Sequence, residues 1–304
     1  MLLLQQMAVL FIYILIGYGA ARREAVDDEF GRKLSWVVLN VANPALVVSA
    51  VVNGDGSIQG RDFLMTAGLA AAILGCIILI ARILPILFRV EKGRRRAYML
   101  LFSFNNVAYM GFPLIAAAYG QEALLYGAVF NMLFNVFAYT YGIEVICGEG
   151  EKKARWKQVL NIGVVSCILA IAIYITRLPF PSFLKTVVSG LGGLTSPLSM
   201  MVIGISLAKI PFGHLFTDAK LLSGCAVKLV LVPIIAMAFI TRAIDNEMLC
   251  GVCMVMLATP AASMTAMLAG QYGSEEDAEL VAKGVALTTI LSVATIPLVS
   301  MIVF

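Results

Sequence analysis

Two adjacent asparagines, Asn105 and Asn106, and the pair Thr259-Pro260 stand inside long apolar runs of the sequence. Both are helix-start signals. An asparagine side chain accepts from the N–H groups of a first helical turn, and proline at the first helical position lacks an N–H that would have no partner there. Inside a continuous helix the same proline would delete a hydrogen bond and clash with the preceding turn. Two side-chain amides in hydrocarbon would be costly without partners. The sequence therefore predicts two helices broken in mid-membrane, with second halves starting at Asn105/Asn106 and at Thr259. Half-helix N-termini meeting there would offer unpaired N–H groups and positive dipole ends, which bind an anion without a full cation beside it. Merely kinked helices, their polar residues bonded to neighbouring helices, are the other reading of the same residues.

Further polar residues fall where they can line such a site. Ser263 follows Thr259 by one turn, Asn131 and Asn135 are one turn apart on one face, and Thr288 lies near Thr289 and Ser292 in the last apolar run. The expected substrate-binding set is Asn105, Asn106, Thr259, Pro260, Ser263, Asn131, Asn135 and Thr288, in which Asn105, Asn106, Thr259 and Ser263 with nearby N–H groups bind a carboxylate and Asn131, Asn135 and Thr288 shape the rest. Packing glue between helices is the plainer role for any one of them. Glu144 is the one acid within an apolar run and away from its first residues; it either carries a coupling proton or snorkels to the interface. Arg82 and Lys228 read in the same two ways, as partners of an anion or as anchors.

Other chemistries find little support. Cys250 and Cys253 form a CxxC, but within an apolar run they read as weakly polar packing residues, and the single histidine, His214, cannot assemble a metal site. No cofactor and no metal are expected. Intramembrane enzymes need His, Asp or Glu clusters in their helices, and these runs have almost none. The basic cluster Arg94–Arg96 reads as a topogenic anchor rather than a nucleic-acid patch.

The elements that position these residues must be membrane helices. Of 304 residues, 61% are hydrophobic and 13% charged, with a mean hydropathy of +0.95. A soluble domain carries about a quarter charged residues. Ten apolar runs, at approximately 2–21, 34–52, 63–88, 97–118, 122–147, 158–176, 186–208, 219–241, 247–269 and 278–303, predict an all-α polytopic membrane protein with ten transmembrane helices. The first run has its arginines, Arg22 and Arg23, after it rather than before it, and reads as a retained helix, not a cleaved signal. Connections after odd-numbered runs carry 16 Lys and Arg against 4 on the other side, which places both termini outside.

The two halves resemble each other. Asn43-Pro44 matches Ser196-Pro197, and Tyr119-Gly120-Gln121-Glu122 matches Tyr272-Gly273-Ser274-Glu275, both at an offset of 153 residues. Arg82 with Pro85 answers to Lys228 with Pro233. Residues 1–147 and 158–304 thus read as two five-helix repeats joined by a short cytoplasmic linker, 148–157. Five helices per copy is an odd number, so the second copy is inverted, the architecture of secondary transporters.

The run Asn106-Val107-Ala108-Tyr109-Met110-Gly111-Phe112-Pro113-Leu114, together with Thr259-Pro260, Asn43-Pro44 and the Lys228…Pro233 segment, resembles the auxin efflux carrier family, which includes the plant PIN proteins and many bacterial permeases. The resemblance covers essentially the whole chain. It implies a scaffold of helices 1, 2, 6 and 7 and a transport domain of helices 3–5 and 8–10, with helices 4 and 9 crossing at their breaks and an elevator motion between the domains. Asn106 matches the family asparagine that meets the substrate carboxylate, while Asn105 stands where the plant members have a crossover proline.

The resulting expectation is a carrier of small organic anions, such as malate, malonate or auxin-like acids, in the cytoplasmic membrane of a prokaryote. Its partners would be that anion and the lipid bilayer, without nucleic acid, and with room for a homodimer. A sodium-coupled symporter of the bile-acid and arsenite carrier type is one rival, although no convincing core acid is present to serve sodium. A membrane sensor that binds without transporting is another.

Overall fold

The computed structural model describes residues 2–53, 60–147, 162–177, 179–208 and 216–304. The linker 148–157 and His214 lie outside these residues. Among the described residues the backbone is helical, without a named strand, and a single antiparallel bridge joins Asn105 to Ala261.

The helices, in chain order, are α1 (Leu2–Arg22), α2 (Asp28–Val37 continuing through Asn43–Asn53), α3 (Gly60–Leu87), α4 (Arg95–Ser103), α5 (Val107–Gly111 continuing through Phe112–Tyr119) and α6 (Leu124–Cys147). They are followed by α7 (Ile162–Thr176), α8 (Ser182–Gly193 and Thr195–Ala208), α9 (Ala219–Ala243), α10 (Glu247–Ala258), α11 (Ser263–Tyr272) and α12 (Glu275–Val303). Local chemistry marks several starts. Asp27 caps α2, Asp218 caps α9, Asn246 caps α10, and Ser274 with Asp277 forms a capping box on α12.

Among the described residues, six helical segments are long and apolar enough to cross a membrane: Glu29–Asn53, Leu64–Leu87, Leu124–Cys147, Ser182–Ala208, Ala219–Ala243 and Glu275–Val303. Shorter apolar helices are Ala8–Arg22, Val107–Tyr119, Ile162–Thr176 and Glu247–Ala258. The outer surface is apolar: Leu64, Ile175, Phe239 and Met301 are all more than 70% exposed. Water would penalise such a surface, and lipid does not.

Three helices contain a π turn two residues before a proline. Val38–Ala42 precedes Pro44, Val107–Gly111 precedes Pro113, and Val227–Leu231 precedes Pro233. In each, the residue before proline donates five residues back: Asn43 to Val38, Phe112 to Val107, and Val232 to Val227. A proline ring clashes with the carbonyl four residues earlier, and widening the preceding turn is one local way to accommodate it. These turns carry or flank the residues of the candidate site, as π turns often do.

Helix α1 lies along the second half of α8, while α7 and the first half of α8 pack on the second half of α2, and α7 packs also on α6. Glycines set the closest approach. A Cβ on Gly17 would stand 2.2 Å from the Met201 carbonyl oxygen, and one on Gly204 would stand 2.0 Å from that of Ile14. Only glycine permits backbones this close. Helix α3 packs on α4 and α6, and α12 packs on α4, α9, α10 and α11. The most buried helix is α10, where every residue from Leu249 to Ala258 is buried. Its hydrophobicity all round follows from that position.

Candidate functional site

The centre of the protein is a pair of breaks that bond to each other. Helix α4 stops at Ser103, Phe104 is extended, and Asn106 caps α5 by accepting from the Tyr109 N–H at 3.2 Å. Helix α10 stops at Ala258, Thr259 and Ala262 are extended, and α11 begins at Ser263. The Asn106 N–H donates to the Pro260 carbonyl at 2.8 Å, and the Ala262 N–H donates to the Phe104 carbonyl at 3.0 Å. Backbone groups that each break frees are thereby satisfied by the other, as a buried backbone requires.

One expectation is corrected here. Thr259 and Pro260 do not start the second half-helix; the start lies at Ser263, after four non-helical residues. A residue before proline is driven toward extended backbone. Thr259 accordingly leaves the helix and donates its hydroxyl back to the Met256 carbonyl at 3.2 Å. The Ala261 N–H, left over by the extended segment, is taken up by Thr288 Oγ1 of α12 at 3.2 Å.

Beside the breaks lies a cavity of about 290 Å³. Both restarting helices begin at its wall, α5 through Asn106–Tyr109 and α11 through Ser263 and Met264. Helix α6 adds Asn131 and Asn135, α2 adds Asn40 and Asn43, and α7 adds Ser166. Among the described residues, none that lines the cavity is charged. The polarity of the cavity therefore comes from amides, hydroxyls and the positive ends of α5 and α11.

The expected site residues divide between this cavity and the breaks. Asn106, Ser263, Asn131 and Asn135 line the cavity, whereas Asn105, Thr259, Pro260 and Thr288 are buried and absent from its lining. Asn135 donates to the Asn131 carbonyl at 2.8 Å and to Asn131 Oδ1 at 3.1 Å, and Asn131 Nδ2 meets Cys167 Sγ at 3.5 Å. Asn105 turns to the other side of the break. Its Nδ2 donates to the Met256 and Leu257 carbonyls at 2.6 and 3.1 Å, and its Oδ1 accepts from Lys228 Nζ. Glu144 is exposed in the last turns of α6 and does not line the cavity. Arg82 is likewise exposed, bonded to the Tyr141 hydroxyl at 3.1 Å with its guanidinium over that ring.

Two side chains at the cavity are short of partners. Among the described residues, nothing bonds Asn106 Nδ2 or either polar atom of Asn43, although the two residues are 2% and 5% exposed. Buried amides are normally satisfied, so each such group calls for an explanation. Asn43 stands outside the site residues expected from the sequence, where Asn43-Pro44 entered through the repeat and the family resemblance. The available signal was an amide in an apolar run next to proline, where the π turn redirects the helix.

The family described as Membrane transport protein matches residues 2–300. The chain belongs to this family, that of the auxin efflux carriers. Among similar members of known proteins, an uncharacterized transporter of Methanothermobacter thermautotrophicus is 23% identical over 295 residues, covering 96% of this chain and 95% of its own. The uncharacterized transporter MJ1031 of Methanocaldococcus jannaschii is 24% identical over 310 residues, covering 95% of each chain. YfdV of Escherichia coli K12, also an uncharacterized transporter, is 19% identical over 235 residues, or 74% of each chain. This auxin efflux carrier family member is thus a multi-pass membrane transporter whose paired breaks fall within the matched region.

Proposed function

We propose that this transporter is a secondary carrier of small organic anions, working in a prokaryotic cytoplasmic membrane with both termini outside. The observation that carries the reading is Asn106: its Oδ1 is engaged in capping α5, while its buried Nδ2 is left as an unpartnered donor at the cavity wall. A carboxylate oxygen is an acceptor that suits such a donor, and the starts of α5 and α11 favour its charge.

The same reading takes the ten helical crossings as two inverted five-helix repeats. Reciprocal bonding between the two breaks supports it, each break giving one N–H and one carbonyl to the other. Helices α1, α2, α7 and α8 serve as scaffold, and α3–α6 with α9–α12 as the moving domain. Walls from both groups enclose the cavity, so sliding one group along the other would carry bound cargo across in an elevator motion.

The test is uptake of radiolabelled malate, malonate and indole-3-acetate by the purified protein in liposomes, with and without sodium and pH gradients. Flux of any of the three that falls in Asn106→Ala is the expected result. Ligand binding without flux under every gradient would replace the carrier with a sensor.

A further inference from the structure

On the side of the break away from the cavity, a lysine lies buried without a counter-ion. Lys228 sits in the π turn of α9 and is 4% exposed. Around it are Ile77, Ile80 and Leu84 of α3, Phe102 of α4 and Leu257 of α10. Among the described residues no carboxylate is within ion-pair reach of it. An ionisable side chain in such a place is expensive and rarely idle.

Its partners are carbonyl-type oxygens. Lys228 Nζ donates to the Phe102 carbonyl at 3.2 Å and to Asn105 Oδ1. Phe102 belongs to the last turn of α4, and the Met256 and Leu257 carbonyls that Asn105 Nδ2 takes belong to the last turn of α10. Both half-helices thus direct their C-terminal ends at one point, which Asn105 and Lys228 cap together. Each end carries a partial charge of roughly −0.5, and neither has enough intrahelical donors for its carbonyls. Oxygen ligands and converging negative dipole ends are the surroundings of a bound inorganic cation.

We propose that this point is a monovalent-cation site, permanently occupied by the tethered ammonium of Lys228. Lys228 is a positioning residue: it holds Asn105 and the ends of α4 and α10 so that α5 and α11 start at the cavity. A carrier with this site open would need a soluble cation to complete its breaks. With the cation tethered, the protein is complete without one. The consequence for uptake rests on the anion-carrier reading, while the site itself can be tested without cargo.

The experiment measures melting temperature of the purified protein in detergent, with no organic anion, in methylammonium chloride or sodium chloride against tetramethylammonium chloride at equal ionic strength. Lys228→Ala should melt lower than the wild type and recover specifically in methylammonium, which is small enough to enter the space left behind. Lys228→Met fills that space without a donor and should melt lower without recovering. The wild type should respond alike to all three salts. Should Lys228→Ala yield no folded protein, preparation in methylammonium provides the same comparison: recovery supports the site and continued failure overturns it. Equal melting of wild type, Lys228→Ala and Lys228→Met, an Ala variant indifferent to the choice of salt, or a wild type stabilised specifically by sodium or methylammonium would each overturn the proposal. In liposomes, uptake by Lys228→Ala should require methylammonium while wild-type uptake does not. Absence of uptake by every protein would fail the cargo reading and leave the melting result to decide the site.

Discussion

Asn105 and Asn106 are consecutive in the sequence and serve different sides of one break: Asn105 ties Lys228 to the carbonyl end of α10, while Asn106 caps α5 and lines the cavity. Extended backbone sends successive side chains to opposite faces. The break therefore lets two adjacent amides of the same type perform unlike tasks. One secures the negative helix ends and the other presents a donor at the positive ends.

Asn106→Ala should weaken anion binding by about tenfold or more, since a hydrogen bond to a charged group is worth ~1.5–3 kcal/mol. It also removes a cap, so the melting temperature should fall slightly. Asn106→Asp separates the two roles. It keeps the capping oxygen and replaces the donor by a negative charge, so stability should be retained while binding is lost. Equilibrium binding and thermal melting on both variants check this.

Asn43→Leu should leave the fold as stable or more so, because both polar atoms of Asn43 lack partners and their burial is a cost. Binding should weaken, since Asn43 is the buried amide that the α2 side brings to the cavity. A variant that melts higher and binds less well is the expected outcome. Loss of both stability and binding would assign Asn43 to packing.

Thr288→Val should destabilise by about 1–3 kcal/mol, the cost of leaving the buried Ala261 N–H without its acceptor. Thr288→Ser keeps the oxygen and should restore most of the loss. Melting of the three proteins side by side checks the contribution of Thr288 to the break.

Asp218 offers a pH test outside the apolar runs. Burial acts to raise its carboxyl, but hydrogen bonds from the Leu221 and Lys220 N–H groups and the Tyr98 hydroxyl, with the Arg94 charge at 3.2 Å, hold it below its ordinary value. A depressed carboxylate contributes stability that is complete above its unfolded pKa near ~3.9 and is lost as pH falls through the lower folded value. Acid melting curves below about pH 4 should therefore be flatter for Asp218→Ala than for the wild type. At neutral pH that variant should be less stable by about 1 kcal/mol through loss of the α9 cap.

Much of this protein was legible in its residues. Composition and charge alone demanded a membrane, because 13% charged residues cannot wet a surface of this size. Asn105-Asn106 and Thr259-Pro260 marked both breaks, since amides and proline are the residues that a continuous apolar helix tolerates least. Side-chain periodicity also placed Asn131 and Asn135 on one face, one turn apart, where they bond to each other.

Direction and partnership were beyond it. Thr259-Pro260 reads equally as a helix start or a helix end, and only the pairing of the extended segment with residues 104–106 moved the restart to Ser263. Nothing local distinguishes Asn105 from Asn106, or Thr288 under the break from Ser263 at the cavity. Lys228 looked like an anchor or an anion partner because the α4 carbonyl it meets lies 126 residues away in the chain and the α10 carbonyls are reached through Asn105. Periodicity and capping are short-range properties, fixed within a turn or two, so the sequence determined which helices form and where they fail. Which side of a break each polar group faces depends on contacts between distant segments, and the tertiary structure alone decided it.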